Sequence, residues 1–198
     1  MPREKKEIQK QDIMPLDVYI KNRKELRKNI VNFKKDRRIA LGPYATFYFE
    51  SYETMLAQVQ EMLYIEKGGD EQLKDELIAY NPLIPNGKEL TATLMFEIDN
   101  PVSRAAFLSK VGGIEEKVFI NVNGEKIKAI SEKDVDRTSA EGKASSVQFI
   151  HFKFSDEQIQ KFRSNGAEVE IGIDHKEYSH MTKLSTTNLS SLSADFSK

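Results

Sequence analysis

The chain has 198 residues, a net charge of −1, 39% apolar and 31% charged residues, and eleven Phe with seven Tyr. This is the content of one folded domain with a sizeable core, since a disordered chain lacks the aromatic content to offset its ordering entropy. Cysteine is absent, which excludes disulfides, thiolate zinc sites, cysteine nucleophiles and iron–sulfur clusters held by the chain's own thiols.

The near-neutral total hides a polarity. Residues 1–38 carry thirteen Lys and Arg against six Asp and Glu, or +7, and the rest carries seventeen against twenty-five, or −8. The first residues, "MPREKKEIQKQD", have no apolar segment, and nowhere does the chain approach the roughly 18 apolar residues of a membrane span. A cytoplasmic protein with no membrane span is expected. Nucleic acid is not expected as a partner, because no reading motif accompanies the basic segment.

The chain reads as a single domain over 1–198, with loose ends at 1–12 and 185–198. "PLDVYIKNRKELRKNIVNFKKDRR" repeats Leu16, Tyr19, Ile20, Leu26, Ile30 and Phe33 at spacings of three, four and their sums, with Lys21, Lys24, Glu25, Lys28 and Lys35 elsewhere on the wheel. It predicts a long amphipathic helix with a basic outer face and Pro15 in its first turn. "RIALG" and "ATFYFE" follow as short strands around "GPY". "YETMLAQVQEMLYIEK" and "DEQLKDELIAY" predict two helices separated by Gly68 and Gly69.

"LTATLMFEI" predicts a strand, and "NPVSRAAFLSKVGG" a helix capped by Asn100 with Pro101 at its first position. "KVFINV" and "KIKAI" flank the Asn-Gly of a hairpin. "SSVQFIHFKF" is a strand, "SDEQIQKFRSNG" a helix begun by Ser155, and "AEVEIGID" a strand. The tail "STTNLSSLSADFSK" is either a short helix or loose. The expected fold is α+β, a mostly antiparallel sheet with the long N-terminal helix and several shorter helices packed on it.

Three features bear on chemistry. On the helix at 53–67, Glu66 falls at about 20° from Met55, in the middle of the apolar stripe, and Glu61 falls on the polar side. A carboxylate facing oil needs a partner, unless the helix ends and releases it to water. In "SSVQFIHFKF", alternation puts Gln148, Ile150, Phe152 and Phe154 on a core face, and His151 with Val147, Phe149 and Lys153 on the other. In "GIDHKEYSH", His175 continues the row of Ile171 and Ile173 where the strand ends, while Asp174 points away. The five-residue spacing to His180 is no zinc signature, and no P-loop, Rossmann glycine pattern, nucleophile elbow or EF-hand loop is present.

"QVQEMLYIEK", "ELIAYNPLIPNG", "ATLMFEI" and "GIDHKEY", in that order, resemble a bacterial domain family of unknown function whose genes commonly lie beside rubrerythrin and a heterodisulfide-reductase-like iron–sulfur protein. The resemblance runs from about residue 11 to residue 196. It highlights Gln58, Gln60, Glu61 and Glu66 on the helix, Tyr80, Asn81, Pro82 and Pro85 in the following turn, and Asp174, His175 and Tyr178. The chain departs from the family's pattern at Tyr64, where the family tends to have Arg, and at Lys176, where it has Pro. Gln148 stands where the family's strand has a histidine, and His151 where it has an arginine.

Two functions are therefore expected. One is an accessory or interaction protein working with an iron–sulfur oxidoreductase and a rubrerythrin-like di-iron protein in electron transfer or oxidative-stress defence, any cysteine-ligated cluster belonging to the partner. The other is a metal-dependent enzyme or metal-binding protein with a divalent metal on His175 and Glu66, joined by Glu61 or Glu97. The second requires Glu66 and His175 to converge.

Overall fold

Among the described residues every strand pairs antiparallel. In the computed structural model, which describes residues 5–132 and 143–197, Arg38–Leu41 (β1) and Ala45–Phe49 (β2) form the expected hairpin. β2 pairs with Glu89–Phe96 (β3), β3 with Val147–Lys153 (β7), and β7 with the two-residue Ile130–Ser131 (β6), completing a five-stranded sheet in the order β1-β2-β3-β7-β6. Val118–Val122 (β4) and Glu125–Lys128 (β5) are the predicted hairpin; Asn123 and Gly124 both take positive φ, 50° and 88°, as a two-residue turn with the right twist requires. With Val169–His175 (β8) and Tyr178–Lys183 (β9) they make a four-stranded sheet ordered β5-β4-β8-β9.

Alternation along these strands builds one core between the sheets. Phe47 and Phe49 of β2, Leu90, Ala92 and Leu94 of β3 and Ile150 and Phe152 of β7 meet Ile120 of β4 and Ile171 and Ile173 of β8, all essentially inaccessible to water. Asn100 caps Pro101–Leu108 (α4) through its side-chain oxygen, and Ser155 caps Asp156–Arg163 (α5). Phe162 of α5 meets Phe154, just before that helix, and Phe196, just after Thr186–Ser193 (α6), in a knot of edge-to-face rings.

A second, smaller core lies outside the five-stranded sheet. Tyr52–Glu66 (α2) and Gly69–Tyr80 (α3) bury Tyr52, Met55, Val59 and Leu73 with Ile8, Leu83 and Ile84, and Phe149 of β7 packs against them. The long helix Leu16–Lys34 (α1) lies against α2 but buries only Tyr19. The expected apolar stripe is present and largely uncovered: Ile20 is 53% exposed, Val31 59%, and Leu26, Ile30 and Phe33 are only partly buried.

Three readings need correction. Pro15 precedes α1 instead of occupying its first turn, its carbonyl accepting from the Tyr19 N–H at 2.8 Å. In "GIDHKEYSH" β8 ends at His175 as expected, but the segment does not stop there: it turns through Lys176 and Glu177 into a further paired strand, β9. Neither end that the structure describes is loose: Ile8 is 1% exposed, and Leu192, Asp195 and Phe196 are buried, so the tail takes the helical alternative. Residues 1–4 and 198 lie outside the described residues.

Candidate functional site

α2 starts at a reciprocal cap, Ser51 Oγ accepting from Thr54 N–H at 3.3 Å and Thr54 Oγ1 from Ser51 N–H at 2.9 Å. From there its 3.6-residue period sends Met55 and Val59 into the second core and turns Leu56, Ala57, Tyr64 and Glu61 toward α1. Glu61, expected on a solvated side, meets Arg23 in an ion pair and accepts from the Tyr19 hydroxyl at 2.6 Å. The Arg23 guanidinium also lies 4.4 Å from the centroid of the Tyr64 ring. Hydrogen bonding from Arg23, reinforced by Tyr19, outweighs partial burial and holds the Glu61 carboxyl below its usual range. Burial, then the bond to Glu61, pushes the Tyr19 phenol up to about 12.

This ion pair closes one part of an otherwise open trough between α1 and α2, with a volume of about 600 Å³. Leu26, Ile30 and Phe33 form the α1 wall, and Tyr52, Leu56 and Ala57 the α2 wall. Arg27 and Lys34 also line the trough, and among the described residues neither makes a hydrogen bond or ion pair. The volume falls in the range of ordinary binding clefts, and the apolar walls are edged by polar groups that include Asp12, Glu53 and Glu61 as well as Arg27 and Lys34. The sequence carried a signal for it: α1 has an apolar arc broader than one neighbouring helix can cover.

The residues singled out in the sequence do not meet in one place. Glu66 ends α2 in solvent, where Gln72 Nε2 donates to it at 3.1 Å. His175 is buried at the end of β8, and its Nδ1 accepts from Glu177 N–H at 3.2 Å. Asp174 is exposed on the opposite side of that strand. Glu97, just past the end of β3, accepts from Thr46 Oγ1 at 2.6 Å and Tyr48 OH at 2.7 Å. The expected convergence of His175 with Glu66 and Glu61 is therefore absent, because one residue ends a helix in water, one pairs across two helices, and one closes a hairpin. Among the described residues, no group of three or more His, Asp and Glu is placed to hold a metal.

Several of the others are structural ties. Asn81 accepts from Ile8 N–H at 2.8 Å and donates to Ile8 C=O at 3.1 Å; Gln60 does the same for Met14, at 2.8 and 3.1 Å. Each amide substitutes for a strand partner and fixes the segment leading into α1. Gln58 Nε2 donates to the Tyr80 hydroxyl at 3.4 Å, joining α2 to α3. The Tyr178 hydroxyl accepts from the N–H groups of Tyr44 and Ala45 at 3.2 and 3.0 Å and donates to Leu41 C=O, so β9 grips the β1–β2 turn. Gly42 has φ of +60° there, and a Cβ on it would lie 2.6 Å from the His180 ring.

His151 faces Glu89 Oε2 at 3.3 Å through Nδ1 and Glu132 Oε1 at 3.6 Å through Nε2. Burial disfavours its charged form, but the hydrogen bond and charge of Glu89, with Glu132 adding, outweigh it and raise the imidazole above its ordinary value. Gln148, where the resembled family has a histidine, is fully buried on the core face, its Nε2 donating to Ser145 C=O at 3.3 Å.

No helix among the described residues is long and apolar enough to cross a membrane. No curated protein matches the chain. A crystal structure described as a novel protein of unknown function from Burkholderia pseudomallei K96243 is similar over 96% of this chain and 99% of that one, with 33% identity and a TM-score of 0.89. The model of the family described as "Protein of unknown function (DUF3501)" matches residues 7–196. The two-sheet frame with its outlying helical layer is thus a member of that family, and the chain belongs to DUF3501.

Proposed function

We propose that this is an accessory protein that acts by binding a partner protein in the α1–α2 trough. The observation that carries the reading is the uncovered wall of α1: a 19-residue helix that buries one side chain leaves Leu26, Ile30 and Phe33 facing an apolar cleft.

The resemblance drawn from the sequence supplies the partner class, an iron–sulfur oxidoreductase working beside a rubrerythrin-like protein in electron transfer or oxidative-stress defence. A chain without cysteine can position such a partner but cannot ligate its cluster through thiolates. The test is photocrosslinking in cells at native expression. A benzophenone amino acid at Leu56, in the trough, is expected to capture the oxidoreductase, and one at Ser179, exposed on β9, is not. Equal capture from both positions, or none from Leu56, overturns the reading.

A further inference from the structure

We infer that the occupant of the trough is an acidic amphipathic helix of the partner, laid along α1 and α2 as a third helix. This rests on the reading of the trough as the partner-binding surface, and three observations lead to it.

The first is shape. The trough is walled by two helices, α1 spanning about 28 Å and α2 about 22 Å at 1.5 Å per residue. Their apolar side chains recur at helical spacing, Leu26, Ile30 and Phe33 on one wall and Tyr52 and Leu56 on the other. A seat of this kind receives the i, i+3, i+4, i+7 face of another helix. A membrane surface offers no ridge to enter a concave trough, and amphipathic helices that bind lipid present a convex apolar face instead.

The second is charge. α1 carries Lys21, Arg23, Lys24, Arg27, Lys28 and Lys34 against Asp17 and Glu25. Of the six cations only Arg23 has an ion-pair partner among the described residues, Glu61. Arg27 and Lys34 stand within the lining itself. The lining also holds three carboxylates: Asp12 pairs with Lys5, Glu61 pairs with Arg23 and feels the charge of Arg27, and Glu53 lies on the α2 side. A helix entering with Glu or Asp on the flank that faces α1 would meet Arg27 and Lys34, and Lys or Arg on that flank would be repelled by them.

The third is that the apolar surface of α1 continues past those cations. Ile20 and Val31 lie about 20–40° around the wheel from Arg27 and are more than half exposed. An incoming helix would cover part of this surface while its carboxylates reach Arg27 and Lys34, so the same contact satisfies both features.

The test uses the full chain and a fluorescein-labelled 20-residue helical peptide with Leu and Phe at i, i+3, i+4 and i+7 and Glu on both flanks. Its controls are the same peptide with Lys for Glu, and vesicles containing phosphatidylglycerol. Fluorescence anisotropy is expected to show binding of the Glu peptide alone, weakened at least ten-fold by the double variant Arg27→Glu, Lys34→Glu and by raising the salt from 50 to 300 mM. Both positions are on the rim, and an unchanged melting curve confirms that the variant is folded. Equal binding of the Lys peptide, or no effect of the double variant, overturns the inference. So does tighter binding of vesicles that the same variant abolishes, which would assign the surface to anionic lipid. If the Glu peptide fails to bind while Leu56 still captures a partner, the acidic-helix inference falls and the trough remains the binding surface; if Leu56 captures nothing, both fall.

Discussion

His151 carries a proton whose energy depends on two carboxylates, and this makes it a reporter of pH in the fold. Its pKa in the folded chain is raised, despite burial, by Glu89 and then Glu132. A raised folded value means the protonated ring stabilises the fold fully below the unfolded imidazole pKa, near 6.5, and this contribution is lost as pH rises through the folded value. The expected outcome is that His151→Gln loses more stability relative to wild type at pH 5.5 than at pH 9, measured by urea unfolding at both. A difference that grows with pH would show that the ring is held neutral. Alternation in "SSVQFIHFKF" was enough to place this residue on the face opposite Gln148, Ile150 and Phe152. Its partners could not be read, because Glu89 comes from a strand 62 residues earlier. Glu61 was misplaced for a related reason: a helical wheel identifies the face turned from the main core but not a second helix that covers it. Glu66, on the apolar stripe by angle, escapes to solvent because α2 ends there.

At the scale of elements, patterns with strong local chemistry were legible and those closed by distant or unusual groups were not. Asn-Gly announced β4–β5, and Ser155 and Asn100 announced their helices. The β8–β9 hairpin lacks Gly and Asn in its turn. His175 Nδ1 accepting from Glu177 N–H supplies a local bond there, and most of β9 is exposed, so its alternation is weak. The segment before α1 shows the same limit, since its order comes from side-chain amides 46 and 73 residues away. Removing either amide leaves a partly buried backbone N–H and C=O without their partner. Gln60→Ala and Asn81→Ala are each expected to lower stability by about 1–3 kcal/mol. Hydrogen exchange should then accelerate first at the Ile8 and Met14 amides, while β3 and β8 stay protected. If protection falls evenly across the chain, the clamps are part of the global unfolding unit and do not hold a separate local one.

Across the whole molecule, the sequence yielded the class of fold and the electrical polarity, but not how the ends of the chain are joined. That junction is Arg37, 1% exposed, at the end of the 3₁₀ turn that follows α1. All five of its N–H donors are used. Nε donates to Phe49 C=O at 3.0 Å, and Nη2 to Glu50 C=O at 2.7 Å and to Asp195; Nη1 reaches Asp195 Oδ1 at 3.2 Å and Ser191 C=O at 3.3 Å. One planar fork thus connects the exit of α1, the end of β2 and the residues of and after α6, across separations of up to 158 positions. "KKDRR" presents Arg37 as one more surface cation, and nothing local distinguishes it from Arg38, which is exposed. Arg37→Ala takes the guanidinium away from the buried Asp195 carboxylate and from the carbonyls of Phe49 and Glu50, and about 3–5 kcal/mol of stability should be lost, a large part of the roughly 5–15 kcal/mol a domain holds. Arg37→Lys keeps the charge but offers three donors from a point, so it should recover only a minor part of that loss. Urea unfolding of both variants and of Arg37→Ala with Asp195→Ala decides the mechanism. If the double variant is less destabilised than the sum of the singles, the loss runs through the Arg37–Asp195 contact; if the effects add, Arg37 acts chiefly through the carbonyls of Phe49 and Glu50, and the closing of the chain's two ends on each other is secondary to its hold on the end of β2.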